Sequence, residues 1–151
     1  VTVPRSEIQT LAPGALLQLF ELDATGIGGE LTRWAPHVNQ LGTAIVFQGQ
    51  TYTPFPIHAE GFERTSEGSI PRPQLKAANL DGTVGAMCRE FDDLVGAVVT
   101  RRQTLEKFLD PVNFPGGVNP TADPTQAFDD DVFCMERKAE ENPIYIEWEL
   151  S

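Results

Sequence analysis

The sequence predicts a mainly β (α+β) fold: an antiparallel, partly closed barrel or sandwich with one packed amphipathic helix and a short N-terminal helix. Three observations lead there. Twelve Pro and thirteen Gly in 151 residues favour strands and loops over a helical bundle. Short apolar runs alternate with turn chemistry along most of the chain. Only one segment carries a sustained helical apolar stripe. Residues 1–151 are taken as a single domain, since this length suits one. A 40% hydrophobic composition supplies a normal core.

Ser6-Glu7-Ile8-Gln9 has the form of a capping box, which predicts a helix stopped by Pro13 and Gly14. Leu16 to Asp23 reads as a strand. Gly26, Gly28 and Gly29 make a turn, and Leu31 to Trp34 returns antiparallel. Ala44 to Phe47 is an apolar run. Gln48-Gly49 turns it, and Gln50 to Thr53 carries the Thr and Tyr of a returning strand. Pro54 and Pro56 lack a ladder N–H and end that strand. Ile57 to Phe62 suits an edge strand, Arg64 to Ser69 a turn, and Pro71 to Leu80 a strand with Pro73, Leu75 and Ala77 on one face.

The helix is predicted over Thr83 to Val95. Val84, Met87, Cys88, Phe91, Leu94 and Val95 form its stripe, with Asp81 as N-cap and Gly96 just past its end. Ala97 to Leu109 is a long β-type segment. Asp110 to Gln126 follows as a loop with four Pro and two adjacent Gly. A loop of that length in a compact domain binds something or is ordered by a partner. Its candidate contact residues are Asp110, Pro111, Phe114, Gly116, Gly117, Asp123 and Pro124. Phe114 is read as an exposed aromatic, a residue type enriched at interfaces. Ala127 to Lys138 and Ile144 to Leu150 close the chain as an antiparallel pair. Ile144, Ile146, Trp148 and Leu150 share one face of the last strand.

Net charge is −11, which argues against gripping a phosphate backbone. No sequence-specific nucleic-acid binding is expected. Residues 106–151 hold eleven acids against three bases, so the C-terminal third carries most of the field. A solvated surface is its simplest role; lining a DNA conduit is the sharper one. No apolar run approaches the ~20 residues that span a bilayer, and there is no signal-peptide pattern.

Chemistry-bearing motifs are sparse. Two cysteines, Cys88 and Cys134, make neither a zinc set nor an iron–sulfur set, and both are expected as free thiols. Cys88 falls on the apolar helix face as a small core residue. Asp129-Asp130-Asp131 would alternate faces in a strand and not converge on one ion. Neither His37 nor His58 sits in a catalytic frame. Arg101 and Arg102 point to opposite faces, and one is expected to make a bidentate pair with an acid, within the chain as the simpler case or across a subunit contact. No catalytic residue, cofactor ligand or metal ligand is assigned. An enzyme is therefore not expected. The alternative is a cell-wall hydrolase working through paired carboxylates such as Asp129 and Asp131.

An ordered set of short motifs runs the length of the chain. It comprises Phe20-Glu21-Leu22-Asp23, Gly28-Gly29-Glu30, the hairpin with its Pro54-Phe55-Pro56 exit, and Gly61-Phe62-Glu63. Arg72-Pro73-Gln74-Leu75, Asn79-Leu80-Asp81-Gly82 and Asp93-Leu94-Val95-Gly96 follow. Phe108-Leu109-Asp110, Val112-Asn113-Phe114 and Ala122-Asp123-Pro124 complete it. Their order and spacing resemble the minor tail protein L family of lambda-like siphophages. The resemblance implies a structural minor tail protein of the tail tip, linking the distal tail-tube ring to the central hub around the DNA channel. It implies a homotrimer, with the distal ring protein, the hub protein and a tail-tip chaperone as partners. The expected location is the virion tail tip, assembled in the bacterial host cytoplasm. The family also carries a cysteine-rich C-terminal domain holding a 4Fe-4S cluster. The four cysteines of that domain are absent from these 151 residues, so no cofactor is expected in this chain.

Overall fold

The computed structural model describes residues 9–10, 15–61, 73–79 and 82–151. Its elements are β1 (Gln9–Thr10), β2 (Leu16–Asp23), β3 (Leu31–Ala35), β4 (His37–Val38), β5 (Ile45–Phe47) and β6 (Gln50–Pro54). Then come β7 (Ile57–Glu60), β8 (Gln74–Ala78), α1 (Thr83–Glu90), β9 (Val98–Leu105), β10 (Asp131–Glu141) and β11 (Tyr145–Leu150). Nine strands form one sheet in the order β5-β6-β3-β2-β9-β10-β11-β8-β7, and β1 pairs β4 in parallel beside it.

The expected β2–β3 pair is antiparallel, with Phe20 opposite Trp34. The β5–β6 hairpin places Phe47 opposite Gln50. Gln48 at φ 55° and Gly49 at φ 74° supply the two left-handed positions that a two-residue turn of this hand requires. β7 is an outer strand, as its sequence suggested. In β11, Ile146, Trp148 and Leu150 are buried, but Ile144 precedes the strand and is exposed.

The register of β2 explains the layering. Opposite residues of an antiparallel pair share a face. Phe20 and Leu22 therefore lie with Trp34 and Val99 on one face, while Leu17, Leu19 and Ala35 lie on the other. Each set feeds its own core. On the first face, Phe20, Leu22, Trp34 and Val99 pack against Leu75, Ile146, Trp148 and Leu150, with Val84, Cys88 and Leu94 from the α1 side. On the second, Leu17, Leu19 and Ala35 pack against Ile45, Phe47, Tyr52, Leu109 and Phe114. Bulges within β10 let the long strand turn from the β9 layer into the β11 layer. The result is sandwich-like around the first core.

The sheet is open, which corrects the barrel expectation. Only Phe55 and Pro56 separate β6, the neighbour of the β5 edge, from β7, the other edge. The Phe55 N–H donates to the Ala35 carbonyl at 2.9 Å, and the Ala78 N–H donates to the Pro56 carbonyl at 2.9 Å. Phe55 stacks on Trp34 with ring centroids 4.7 Å apart. No ladder joins the ends among the described residues. Pro54 and Pro56 lack the N–H groups that one would need.

Two further expectations change. The capping-box start at Ser6 lies outside the described residues, but Gln9–Thr10 is a strand rather than helix. Helix α1 stops at Glu90 instead of running to Val95. Asp92, Asp93 and Leu94 take φ values of 51°, 60° and 60°, a left-handed turn costing about 1–2 kcal/mol per residue. Burial of Leu94 offsets that cost, together with a Trp148 Nε1–H bond to the Asp93 carbonyl at 2.9 Å. The predicted N-cap Asp81 lies outside the described residues. Gly82 holds that position, at φ 69° and without a capping side chain. The Asn79 Oδ1 instead accepts the Gly85 N–H at 3.0 Å.

Trp148 is both the largest fully buried side chain of the first core and the hydrogen-bond anchor of this turn. Trp148→Ala is expected to cost about 3–5 kcal/mol in urea unfolding. A loss below 1 kcal/mol would contradict the packing described.

Candidate partner-contact site

The segment from Asp110 to Gln126 is built onto its own chain. Asp110 caps the hairpin turn: its two carboxylate oxygens accept the Gln48 N–H at 3.0 Å and the Gly49 N–H at 2.8 Å. Pro111 then opens a 3-10 turn, where its missing N–H costs nothing. Asn113 is fully buried. Its Oδ1 accepts the Val46 N–H at 2.8 Å and an Asn39 amide N–H at 3.2 Å. Its Nδ2 donates to the carbonyls of Val46 at 2.6 Å and Asp110 at 2.8 Å. One side-chain amide thus pairs with both backbone groups of Val46 at the outer edge of the sheet. It does so in place of a neighbouring strand.

The rest of the loop is clamped in the same manner. The Asn119 Nδ2 donates to the Leu109 carbonyl at 2.7 Å, and the Thr121 hydroxyl to the Lys107 carbonyl at 2.6 Å. Asp123 accepts the N–H and hydroxyl of Thr125, which hold its carboxyl below the usual carboxylate range. The Pro124 carbonyl accepts the Gln48 Nε2–H at 2.7 Å. Gly116 and Gly117 occupy left-handed conformations, at φ 72° and 67°.

The named residues therefore divide. Asp110 and Asp123 spend their carboxylates on backbone groups. Phe114 is buried in the second core, which corrects its reading as an exposed aromatic. Pro111, Gly116, Gly117 and Pro124 remain exposed. The exposed apolar side chains are ones the sequence reading passed over: Val112 at 58%, Val118 at 65% and Phe128 at 59%. Phe128 borders a groove of about 130 Å³ with Leu105 and Phe108. Val112 next to Phe114 follows no strand or helix period, so nothing in the pattern told which of the two would be buried.

Several titratable groups are committed to structure. Arg101 binds Asp131 through Nε and Nη2 at 3.0 and 2.6 Å. Arg102 meets Glu21 at 2.9 Å and Asp130 at 3.4 Å, and donates to the Tyr52 hydroxyl at 3.0 Å. Of the two carboxylates named for hydrolysis, Asp131 is thus ion-paired within the chain. His58 is exposed, 3.6 Å from Glu60. Burial lowers the His37 pKa.

Cys88, Asp93 and Glu141 place one sulfur and two carboxylate oxygens within 4.8 Å of one another. The Lys138 ammonium already serves these acids, donating to Asp93 at 2.8 Å and Glu141 at 2.6 Å. Those bonds raise its pKa. Sequence reading missed this cluster because it joins the end of the helical segment to β10. Cys134 lies across the sheet from Cys88: it is opposite Val98 on the face away from the first core and is exposed. The two thiols do not converge, so they do not fit as ligands of an iron–sulfur cluster.

Asn113→Ala removes both partners of Val46 and is expected to cost about 1–3 kcal/mol by urea unfolding. Val118→Ala should stay within about 0.5 kcal/mol of the parent. Burial pushes the Cys88 thiol from 9.0 up to about 11. The folded state therefore keeps a proton that the unfolded state loses. Stability is fully present below pH 9 and falls as pH rises toward 11. That fall should be shallower in Cys88→Ala, as read from denaturation midpoints across this window. Parallel curves would show that Cys88 contributes nothing to it.

The family described as phage minor tail protein L matches residues 25–151. Tail tip protein L of Escherichia phage lambda is 41% identical over 112 residues, which covers 74% of this chain and 48% of that protein. The chain thus spans about half the length of the curated relative it matches. It belongs to the phage minor tail protein L family.

Proposed function

We propose that this protein is a structural subunit of the tail tip of a long-tailed, non-contractile phage. Membership of the minor tail protein L family over residues 25–151 is the observation that carries this reading. In it, the domain links the distal ring of the tail tube to the central hub around the DNA channel. It does so as a homotrimer assembled in the bacterial host cytoplasm. The iron–sulfur cluster expected of the family has no place in these residues.

The contact surface proposed for these partners is the clamped loop with its exposed apolar points, Val112 and Val118. Its backbone is held by Asp110, Asn113 and Asn119. Apolar side chains on a pre-ordered loop lose little further entropy on docking.

Antibody against residues 1–151, viewed on phage particles by electron microscopy, tests the role. Label at the distal tip, exposed when the tip is partly dissociated, is the expected result. Absence of label from intact and dissociated particles alike would remove the reading. The loop is tested by the double variant Val112→Asp, Val118→Asp. It should melt within a few degrees of the parent, since both side chains are exposed. Its incorporation into particles should fall about tenfold or more. Incorporation at the parent level would take the loop out of the contact.

A further inference from the structure

A second surface lies away from the loop, between the β2–β3 connection and helix α1. It is a groove of about 440 Å³, within the range of sites that hold a ligand. Ala24 and Thr32 line one wall, and Met87 and Phe91 the other. Met87 and Phe91 are only partly buried and pack on the first core from above. Each wall also carries one exposed carboxylate, Glu30 on the first and Glu90 on the second.

These two acids differ from most of their neighbours. Glu21, Asp93, Asp130, Asp131, Glu141, Glu147 and Glu149 all have a cationic partner in the chain. The side chains of Glu30 and Glu90 have no ion pair or hydrogen bond among the described residues. An apolar floor between two uncommitted negative charges is complementary to a segment with an apolar side chain flanked by cations. The walls are also fixed. A Cβ on Gly29 would meet the Ala24 Cβ at 2.8 Å, and Phe91 lies 3.6 Å from the same point. The glycine turn is thus packed closely against the helix end.

We propose that this groove binds a segment of another protein in which an apolar residue is flanked by Lys or Arg. Among the described residues, a second copy of this chain offers few free cations to supply it. Six of its eight described basic side chains are already ion-paired: Arg33, Lys76, Arg101, Arg102, Arg137 and Lys138. Lys107 lies over the ring of its own Phe108. Arg89 adjoins Glu90 on the groove helix itself. The net charge of −11 adds a general attraction for a cationic partner. The inference does not depend on the tail-tip reading.

The test is a titration of the isotope-labelled chain with acetyl-Lys-Leu-Lys-amide, followed by amide chemical shifts. Saturable changes are expected at Glu30, Thr32, Met87 and Phe91. Acetyl-Glu-Leu-Glu-amide and acetyl-Lys-Ser-Lys-amide should give none. Both acids are exposed, so the E30Q/E90Q double variant should keep the parent spectrum. Its affinity for the Lys-Leu-Lys peptide should fall roughly five- to tenfold, as the loss of two exposed ion pairs predicts. Shifts spread over the acidic C-terminal strands, unchanged in the double variant, would overturn the proposal. So would an equal response to Lys-Ser-Lys, or no saturable shift at all.

Discussion

The alternation of β2 is the constraint on which the other elements depend. Leu19 and Phe20 are adjacent, point to opposite faces, and are both buried. A strand with one solvated face would need a polar residue at one of these positions. Here each face must be covered, and by different parts of the chain. The residues after Ala44 wrap back over Leu17 and Leu19. Of those after Pro56, Leu75, Trp148 and Leu150 wrap over Phe20 and Leu22, while Leu109 and Phe114 join the covering of Leu17 and Leu19. The two coverings lie on opposite sides of a sheet that stays open, with β5 and β7 as its outer strands.

The Pro54-Phe55-Pro56 link marks where the two coverings meet. Phe55 ties to Ala35, and Pro56 ties to Ala78. The connection thus holds both ends of the sheet without forming a ladder. Prolines at this joint limit strand pairing, which leaves β5 and β7 as edges. The β5 edge is closed by a side chain, since Asn113 takes both backbone groups of Val46. An edge closed this way cannot template a further strand at that residue. The surface there is presented by the covering loop, not by open backbone.

Much of the sheet was legible because its signals are local. Leu16 to Asp23, the Gln48-Gly49 turn and the Ile146, Trp148 and Leu150 alternation each depend on period two or on turn chemistry. Helix length was not legible. Phe91, Leu94 and Val95 keep the helical stripe, yet the chain turns left-handed at Asp92 because Trp148 and Lys138 hold Asp93 from strands remote in sequence. Those partners override local propensity. The loop was placed correctly as a long irregular segment, but its internal order was not visible. Asp110 and Asn113 satisfy a hairpin more than sixty residues away, and no local pattern encodes such a contact.

That long-range order changes the physical meaning of the loop. A Pro- and Gly-rich segment in isolation would lose about 1–2 kcal/mol of backbone entropy per residue when a partner fixed it. Here Asp110, Asn113, Asn119 and Asp123 fix it during folding of the chain itself. A partner then meets a surface whose ordering cost belongs to folding. Phe114 is central to this arrangement. By entering the second core beside Leu109, it holds the loop down and leaves Val112 and Val118 outward. The aromatic ring therefore shapes the loop from within, without itself being part of the exposed surface.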